Sequence, residues 1–146
     1  MSMPNVAYVV FDRLGAPKGA AVHIGAFARA LGRGFGAVGL VGIADGELRG
    51  GSSFASADNV RVTELPARGA NLIERVNDFR QQVARWWNRR TVDVLHFRSI
   101  FEGYPLALHK RHVCRRLVFE VNGLPSIELK YHHPAVAEDR ELLHKL

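Results

Sequence analysis

Residues 6–31 read VAYVVFDRLGAPKGAAVHIGAFARAL, and this stretch decides the fold. Val6–Phe11 is an unbroken apolar run of strand-forming residues. Asp12–Gly19 is a loop carrying glycine, proline and lysine. Ala20–Leu31 has the pattern of an amphipathic helix, with Ile24, Phe27, Ala28 and Leu31 on one stripe. A buried parallel strand brings the backbone to the edge of a sheet, and small residues turn it. The helix behind then points free N–H groups and the positive end of its dipole at whatever binds there. Pro17 and Gly19 suit the turn, and Lys18 adds a mobile cation. The expectation is an anion cradle for a phosphate-bearing ligand of unspecified kind.

Outward from this unit the same alternation continues. Further strand candidates are Ala37–Ile43, Val60–Leu65, Val92–Phe97 and Leu117–Val121, mostly continuous apolar runs, as in parallel strands covered on both faces. Gly32 and Gly34 are expected to end the first helix. A second helix starts at Asn71, its cap, with Glu74 at the reciprocal position. Its stripe of Leu72, Val76, Phe79, Val83 and Trp86 faces the sheet, and its charged side is solvated. Residues Ile100–Arg111 form a short helix interrupted by Gly103 and Pro105. Ala44–Asn59, rich in glycine, serine and alanine, reads as a flexible loop or hairpin. Pro134 opens a helix running through Leu146, with Val136, Leu143 and Leu146 on one side. That helix ends without a cap, which reads as a chain cut inside a larger protein. The fold class expected is α/β: a Rossmann-like, doubly wound, mainly parallel sheet with helices on both faces, forming one domain over residues 1–146.

Composition narrows the setting. A chain of 146 residues with 47% hydrophobic content builds a real core. No apolar run reaches the ~18–20 residues that span a bilayer, and Met1–Asn5 lacks a signal-peptide pattern. Cys114 stands alone, so no internal disulfide forms, in keeping with a reducing cytoplasm. The net charge of +6 favours anionic partners: nucleic acid, an anionic membrane surface or a phosphorylated small molecule.

In doubly wound sheets ligands sit at the C-terminal ends of the strands, which selects three clusters. The first is Gly15–His23. The second is His96, Arg98 and Ser99, with Glu102 and Tyr104 behind. The third is Glu120, Asn122, Gly123, Ser126 and Glu128. Each also has a plain structural reading. His23 is equally a polar residue on a first helical turn, and His96 a half-buried strand-end histidine. Asn122-Gly123 is also a common turn dipeptide, and Glu128 a helix-surface charge. His109/His112 and the adjacent His132/His133 lack the partners of a metal site, so no metal is expected. The run Lys110, Arg111, His112, Arg115, Arg116 reads as a solvated face or as a contact with membrane or nucleic acid. The first loop lacks the G-x-G-x-x-G fingerprint and a Walker A motif, which argues against nicotinamide chemistry; no helix-turn-helix, zinc finger or aromatic-studded sheet supports nucleic-acid binding.

Together the clusters resemble the N-terminal domain of family 4 glycosyltransferases, retaining enzymes of the GT-B architecture. Three matches carry the resemblance: Gly15-Ala-Pro-Lys-Gly-Ala-Ala-Val-His-Ile24 with Phe27-Ala-Arg-Ala-Leu31; Asp93-Val-Leu-His96; and Phe119-Glu-Val-Asn-Gly-Leu-Pro-Ser-Ile-Glu-Leu-Lys-Tyr131, continued by Pro134-Ala-Val-Ala-Glu-Asp-Arg140. The third resembles a subset of these enzymes. The resemblance implies two Rossmann-like domains across a cleft, this one on the acceptor side and a C-terminal donor-binding domain absent from this chain, so the chain alone would be inactive. It implies a nucleotide-sugar donor, a glycan or lipid-linked acceptor and no cofactor. The lone cysteine and the missing signal pattern point to a cytoplasmic protein, and the basic charge to peripheral contact at the inner face of an anionic membrane. Gly15, Lys18, Gly19 and Ala20 would meet the donor diphosphate, Ala20 departing from the family's second glycine. His23, His96, Arg98, Tyr104, Asn122 and Glu128 would meet the acceptor, with His96 and Asn122 as candidates nearest the reacting sugar. Arg98 and Asn122 stand where many members carry histidine; an amide at Asn122 still hydrogen-bonds a sugar hydroxyl. The alternative expectation is a non-catalytic module that uses its basic face on an anionic membrane or a partner protein.

Overall fold

The computed structural model describes residues 5–16, 19–44, 59–87, 90–123 and 125–144. Pro17, Lys18, Leu146 and all but the two end residues of the expected Ala44–Asn59 loop lie outside the described residues. Five strands, β1 (Val6–Arg13), β2 (Val38–Ile43), β3 (Val60–Leu65), β4 (Val92–Phe97) and β5 (Cys114–Phe119), form one all-parallel sheet in the order β3-β2-β1-β4-β5. The fold is the expected Rossmann-like α/β class. The chain works outward from β1 to β3 and then returns to β4 on the other side of β1. The topological switch point is therefore the crevice between the C-terminal ends of β1 and β4. Register places Tyr8 beside His96 and Val9 beside Phe97, and Phe97 beside Phe119 of β5.

Each sheet face is covered by its own apolar helix stripe. Helix α1 (Gly19–Phe35) lays Ile24 and Ala28 on Val6, Tyr8, Val10, Val38 and Leu40. On the other face α2 (Leu72–Trp87) sets Phe79, Val83 and Trp87 against Ala7, Val9, Val41, Ile43 and Leu95. Trp87, not Trp86, is the buried tryptophan. Asn71 caps α2 as expected: its Oδ1 accepts the Glu74 N–H at 2.9 Å, while Glu74 reaches back to the Ala70 N–H at 2.7 Å.

Several elements differ from the expectation: β1 runs on past Phe11 to Arg13, and β2 starts at Val38 rather than Ala37. Helix α1 runs through Gly32 and Gly34 and stops at Gly36, whose φ of 86° is a left-handed turn that favours glycine. Strand β5 begins at Cys114 and ends at Phe119, so exposed Arg115 and Arg116 belong to an edge strand. Helix α3 (Ile100–Leu108) continues through Gly103 and Pro105. Proline cannot donate to the Phe101 carbonyl one turn back; the Arg80 guanidinium fills that gap, Nε reaching Phe101 O at 2.6 Å and Nη2 the Ile100 carbonyl at 3.3 Å.

After α3 comes a single turn, α4 (Lys110–Val113), leading into β5. Beyond β5 the expected long helix is broken into α5 (Pro125–His132), α6 (Pro134–Glu138) and α7 (Arg140–Leu143). Pro134 does take a first helical position, but the backbone is extended at Asp139 and a continuous helix does not form. Leu129 of α5 and Val136 of α6 pack on Leu72, Ile73 and Val76 at the start of α2. This satellite cluster walls one side of the switch-point crevice. No helix among the described residues is long and apolar enough to cross a membrane.

Candidate functional site

At the C-terminal pole of the sheet, four elements converge on the carboxylate of Glu120. The backbone N–H of Glu120 donates to the Phe97 carbonyl at 2.9 Å, which fixes it at the end of β5. Its Oε2 accepts the Tyr8 hydroxyl at 3.0 Å, and its Oε1 lies 2.8 Å from His23 Nε2 on α1. An ionised carboxylate only accepts, so that histidine nitrogen carries the proton. Arg98 Nε stands 3.7 Å from Oε1, and Arg98 Nη1 stands 3.9 Å from Asp12 Oδ2 and 3.5 Å from the Ala20 carbonyl it donates to. The guanidinium thereby joins the end of β4 to the first turn of α1, the end of β1 and the end of β5.

The electrostatics follow from these contacts. Burial pushes the Glu120 carboxyl up, but the Asn122 amide, Tyr8, His23 and the Arg98 charge outweigh it and hold it below the usual glutamate range. Burial, then the Glu120 charge, pushes the Tyr8 phenol far up, so it stays a donor. His96 is stacked on Tyr8 (ring centroids 4.6 Å apart) and meets the edge of Phe27 at 5.0 Å. Burial lowers its pKa despite Glu120, whose Oε2 is 3.4 Å from Nε2 without a hydrogen bond. The His96 imidazole is neutral and belongs to the core beneath the site.

Arg98 is the most available donor. Its Nε is buried with no hydrogen-bond partner among the described residues, and its ion pairs are long. A half-buried guanidinium with an unpartnered Nε suits an incoming carboxylate, phosphate or hydroxyl. Behind it, Glu102 completes the cap of α3: its Oε1 accepts the N–H groups of Arg98 (3.0 Å) and Ser99 (2.8 Å), and its Oε2 takes the Ser99 hydroxyl. Full burial pushes this carboxyl up to about 7 against those hydrogen bonds.

Beside this cluster opens a cleft of about 630 Å³. Asp12, Arg98, Ser99, Asn122 and Glu128 supply its polar groups, and Phe11, Phe101 and Phe119 its apolar wall. His132 and His133 both border it, because α5 ends between them and neither helix nor strand geometry separates them. Glu128 folds back over Gly123, where a Cβ would come within 1.8 Å of its Oε1. Asn122 donates to the Glu120 carbonyl at 3.4 Å.

Of the sequence-derived site residues, Arg98, Asn122 and Glu128 therefore share one cleft. Gly15 lies in the turn after β1, and Gly19 and Ala20 open α1, with free space where a Gly19 side chain would be. His23 binds Glu120 at the rim. His96 lies beneath the cluster and does not line the cleft. Tyr104 projects outward from α3 with the Arg80 guanidinium 5.9 Å from its ring centre. Tyr8 and Asp12 were not singled out from sequence; Tyr8 sits inside an apolar run, and only its pairing with Glu120 distinguishes it from core.

A larger depression, about 840 Å³, lies at the opposite pole among Phe35, Arg61, Trp86, Arg90 and Thr91. It is at the N-terminal ends of the strands, away from the convergent strand-end groups, so the smaller cleft is the better ligand site for this fold. No family model, curated protein or solved structure matches the chain.

Proposed function

We propose that this chain forms the acceptor-side wall of a retaining, nucleotide-sugar-dependent glycosyltransferase. The observation that carries the reading is the position of Arg98. One guanidinium nitrogen touches the first turn of α1, and the same side chain lines the cleft that holds Asn122 and Glu128. A diphosphate at the start of α1 and a sugar in the cleft would then be adjacent.

The chemistry follows from those positions. Transfer breaks the bond between the anomeric carbon and the diphosphate oxygen and forms one from that carbon to the acceptor hydroxyl oxygen; charge grows on the departing diphosphate, which takes up the hydroxyl proton. The N-terminus of α1 and Arg98 would stabilise that charge, with Lys18 assigned the same role by the family resemblance. Asn122 and Glu128 would orient acceptor hydroxyls, and Phe119 would offer an apolar surface to a sugar face. His23, Tyr8 and Glu120 would hold Arg98 and the α1 terminus in place. By the same resemblance, a second domain would hold most of the nucleotide and close over the cleft to exclude water.

Calorimetric titration with uridine, guanosine and adenosine diphosphates and their glucose and mannose esters tests this reading. Diphosphates should bind, and Arg98→Ala should weaken them by about tenfold or more. Asn122→Ala should weaken the sugar esters by about fivefold while leaving the free diphosphates unchanged. Absence of diphosphate binding, or equal binding by Arg98→Ala, would sink the proposal.

A further inference from the structure

We infer that the corner made by the end of α3, α4 and the start of β5 is a docking surface for an anionic phospholipid membrane. From Gly103 to Phe119 the chain has no acidic residue, while Lys110, Arg111, Arg115 and Arg116 are cationic and His109 and His112 interleave them. All six of these side chains are exposed. Among the described residues no carboxylate pairs with the four cations. Asp93 borders the patch beside Arg111 and Arg115, but its carboxylate already accepts the Asn5 N–H at 2.9 Å.

A basic run alone is usually a solvated face. What separates this one is the apolar tip within it. Leu108 is 66% exposed and Tyr104, one turn earlier on the same stripe of α3, is 57% exposed. Leu108 stands immediately before the cations. An exposed leucine enters the acyl boundary, tyrosine rests at headgroup depth, and lysine and arginine stems extend sideways to the phosphates. The alternative of a nucleic-acid groove is less suited: α4 has only four residues, and the apolar tip would stay in water. The patch lies at the N-terminal end of β5 and the cleft at its C-terminal end, about 20 Å apart for six residues of strand. Docking at this corner leaves the cleft accessible, and it does not depend on which ligand the cleft takes.

Co-sedimentation of the full chain with phosphatidylcholine vesicles, with and without phosphatidylglycerol, tests the inference. The chain should pellet only with the anionic vesicles. Lys110→Gln/Arg111→Gln should weaken binding by about 25-fold, roughly fivefold per cation. Leu108→Ser should weaken it by about fivefold with charge unchanged. Arg29→Gln/Arg33→Gln, exposed on α1 and equal in charge loss, should stay within about twofold, since screening confines the effect to nearby cations. Circular dichroism would confirm that each variant is folded. Equal binding to both vesicle types, an equal loss in the α1 variant, or no effect of Leu108→Ser would overturn it. So would tighter binding to a duplex oligonucleotide than to the anionic vesicles.

Discussion

The Tyr8 hydroxyl donates to the Glu120 carboxylate at 3.0 Å, joining residues 112 apart in sequence. These residues belong to β1 and the end of β5, which are separated by β4, so the bond crosses above His96 and ties the sheet edge to its centre. Tyr8→Phe keeps the ring stacked on His96 and removes only the donor. It should cost about 1.5–3 kcal/mol in urea unfolding, the range for a hydrogen bond to a charged group. A double-mutant cycle with Glu120→Ala should show that most of this is coupling between the two residues. The Glu120 pKa is depressed in the fold, so its contribution is present above the unfolded value and is lost as pH falls through the folded one. Tyr8→Phe should shrink that acid loss.

Glu102 has the opposite sign. Its folded pKa is raised to about 7, so its contribution is fully present below the unfolded value and disappears as pH rises through 7. Wild-type stability should therefore fall by about 3 kcal/mol from this group between pH 4.5 and 8. Glu102→Gln keeps an acceptor for the Arg98 and Ser99 N–H groups and cannot ionise. Urea unfolding at pH 5 and pH 8 should show that the variant lacks this fall; parallel curves for the two proteins would refute the assignment.

Arg80→Met should leave the Phe101 carbonyl, vacated by Pro105, without its donor. The expected loss is about 1–3 kcal/mol. In the Pro105→Ala background the alanine N–H supplies that bond, so the same Arg80→Met substitution should cost less. Thermal or urea unfolding of the four proteins checks this.

Two glycines make close approaches with different consequences. A Cβ at Gly103 would fall 2.0 and 2.1 Å from ring atoms of Phe97, which is buried and stacked on Phe119, so the ring must shift. Gly103→Ala should cost about 2–3 kcal/mol. A Cβ at Gly123 would instead strike the carboxylate end of Glu128, a flexible side chain. Gly123→Ala should change stability by only about 0.5 kcal/mol while swinging Glu128 out of the cleft. On the proposed function, it should then weaken sugar binding as Glu128→Gln does; unchanged binding in calorimetry would count against a role for Glu128.

Much of this architecture was legible because apolar runs and helical stripes report burial directly. β3 and β4 span the residues that strand-forming valines and leucines mark out, Val60–Leu65 and Val92–Phe97, and Asn71 caps α2 through its own side chain. The strand-end rule also brought Arg98, Asn122 and Glu128 into one cleft. What local pattern could not show depends on distant partners. Proline and glycine predicted a break in α3, but Arg80, from a different helix, repairs the backbone there. Gly32 reads as a helix stop, yet it is where α1 packs closely against the Asn59 backbone, its would-be Cβ only 2.8 Å from that carbonyl. Arg115 and Arg116 hid the start of β5 because an edge strand tolerates charge that a central one does not. Tyr8 is indistinguishable from core until Glu120 is seen above it, and His96, at a strand end, turns inward onto Tyr8 and Phe27.

The proposed function requires ligands to bind at the β1–β4 switch point, with a diphosphate at the start of α1. The most direct measurement is a ¹H–¹⁵N correlation spectrum of the labelled chain titrated with uridine diphosphate and uridine diphosphate glucose. Saturable shifts are expected at the amides of Gly19, Ala20 and Arg98 with both ligands, with Asn122 and Gly123 added by the sugar ester. The indole N–H signals of Trp86 and Trp87, at the opposite pole, should stay in place. Shifts confined to those indoles and Thr91, or none at the start of α1, would contradict it.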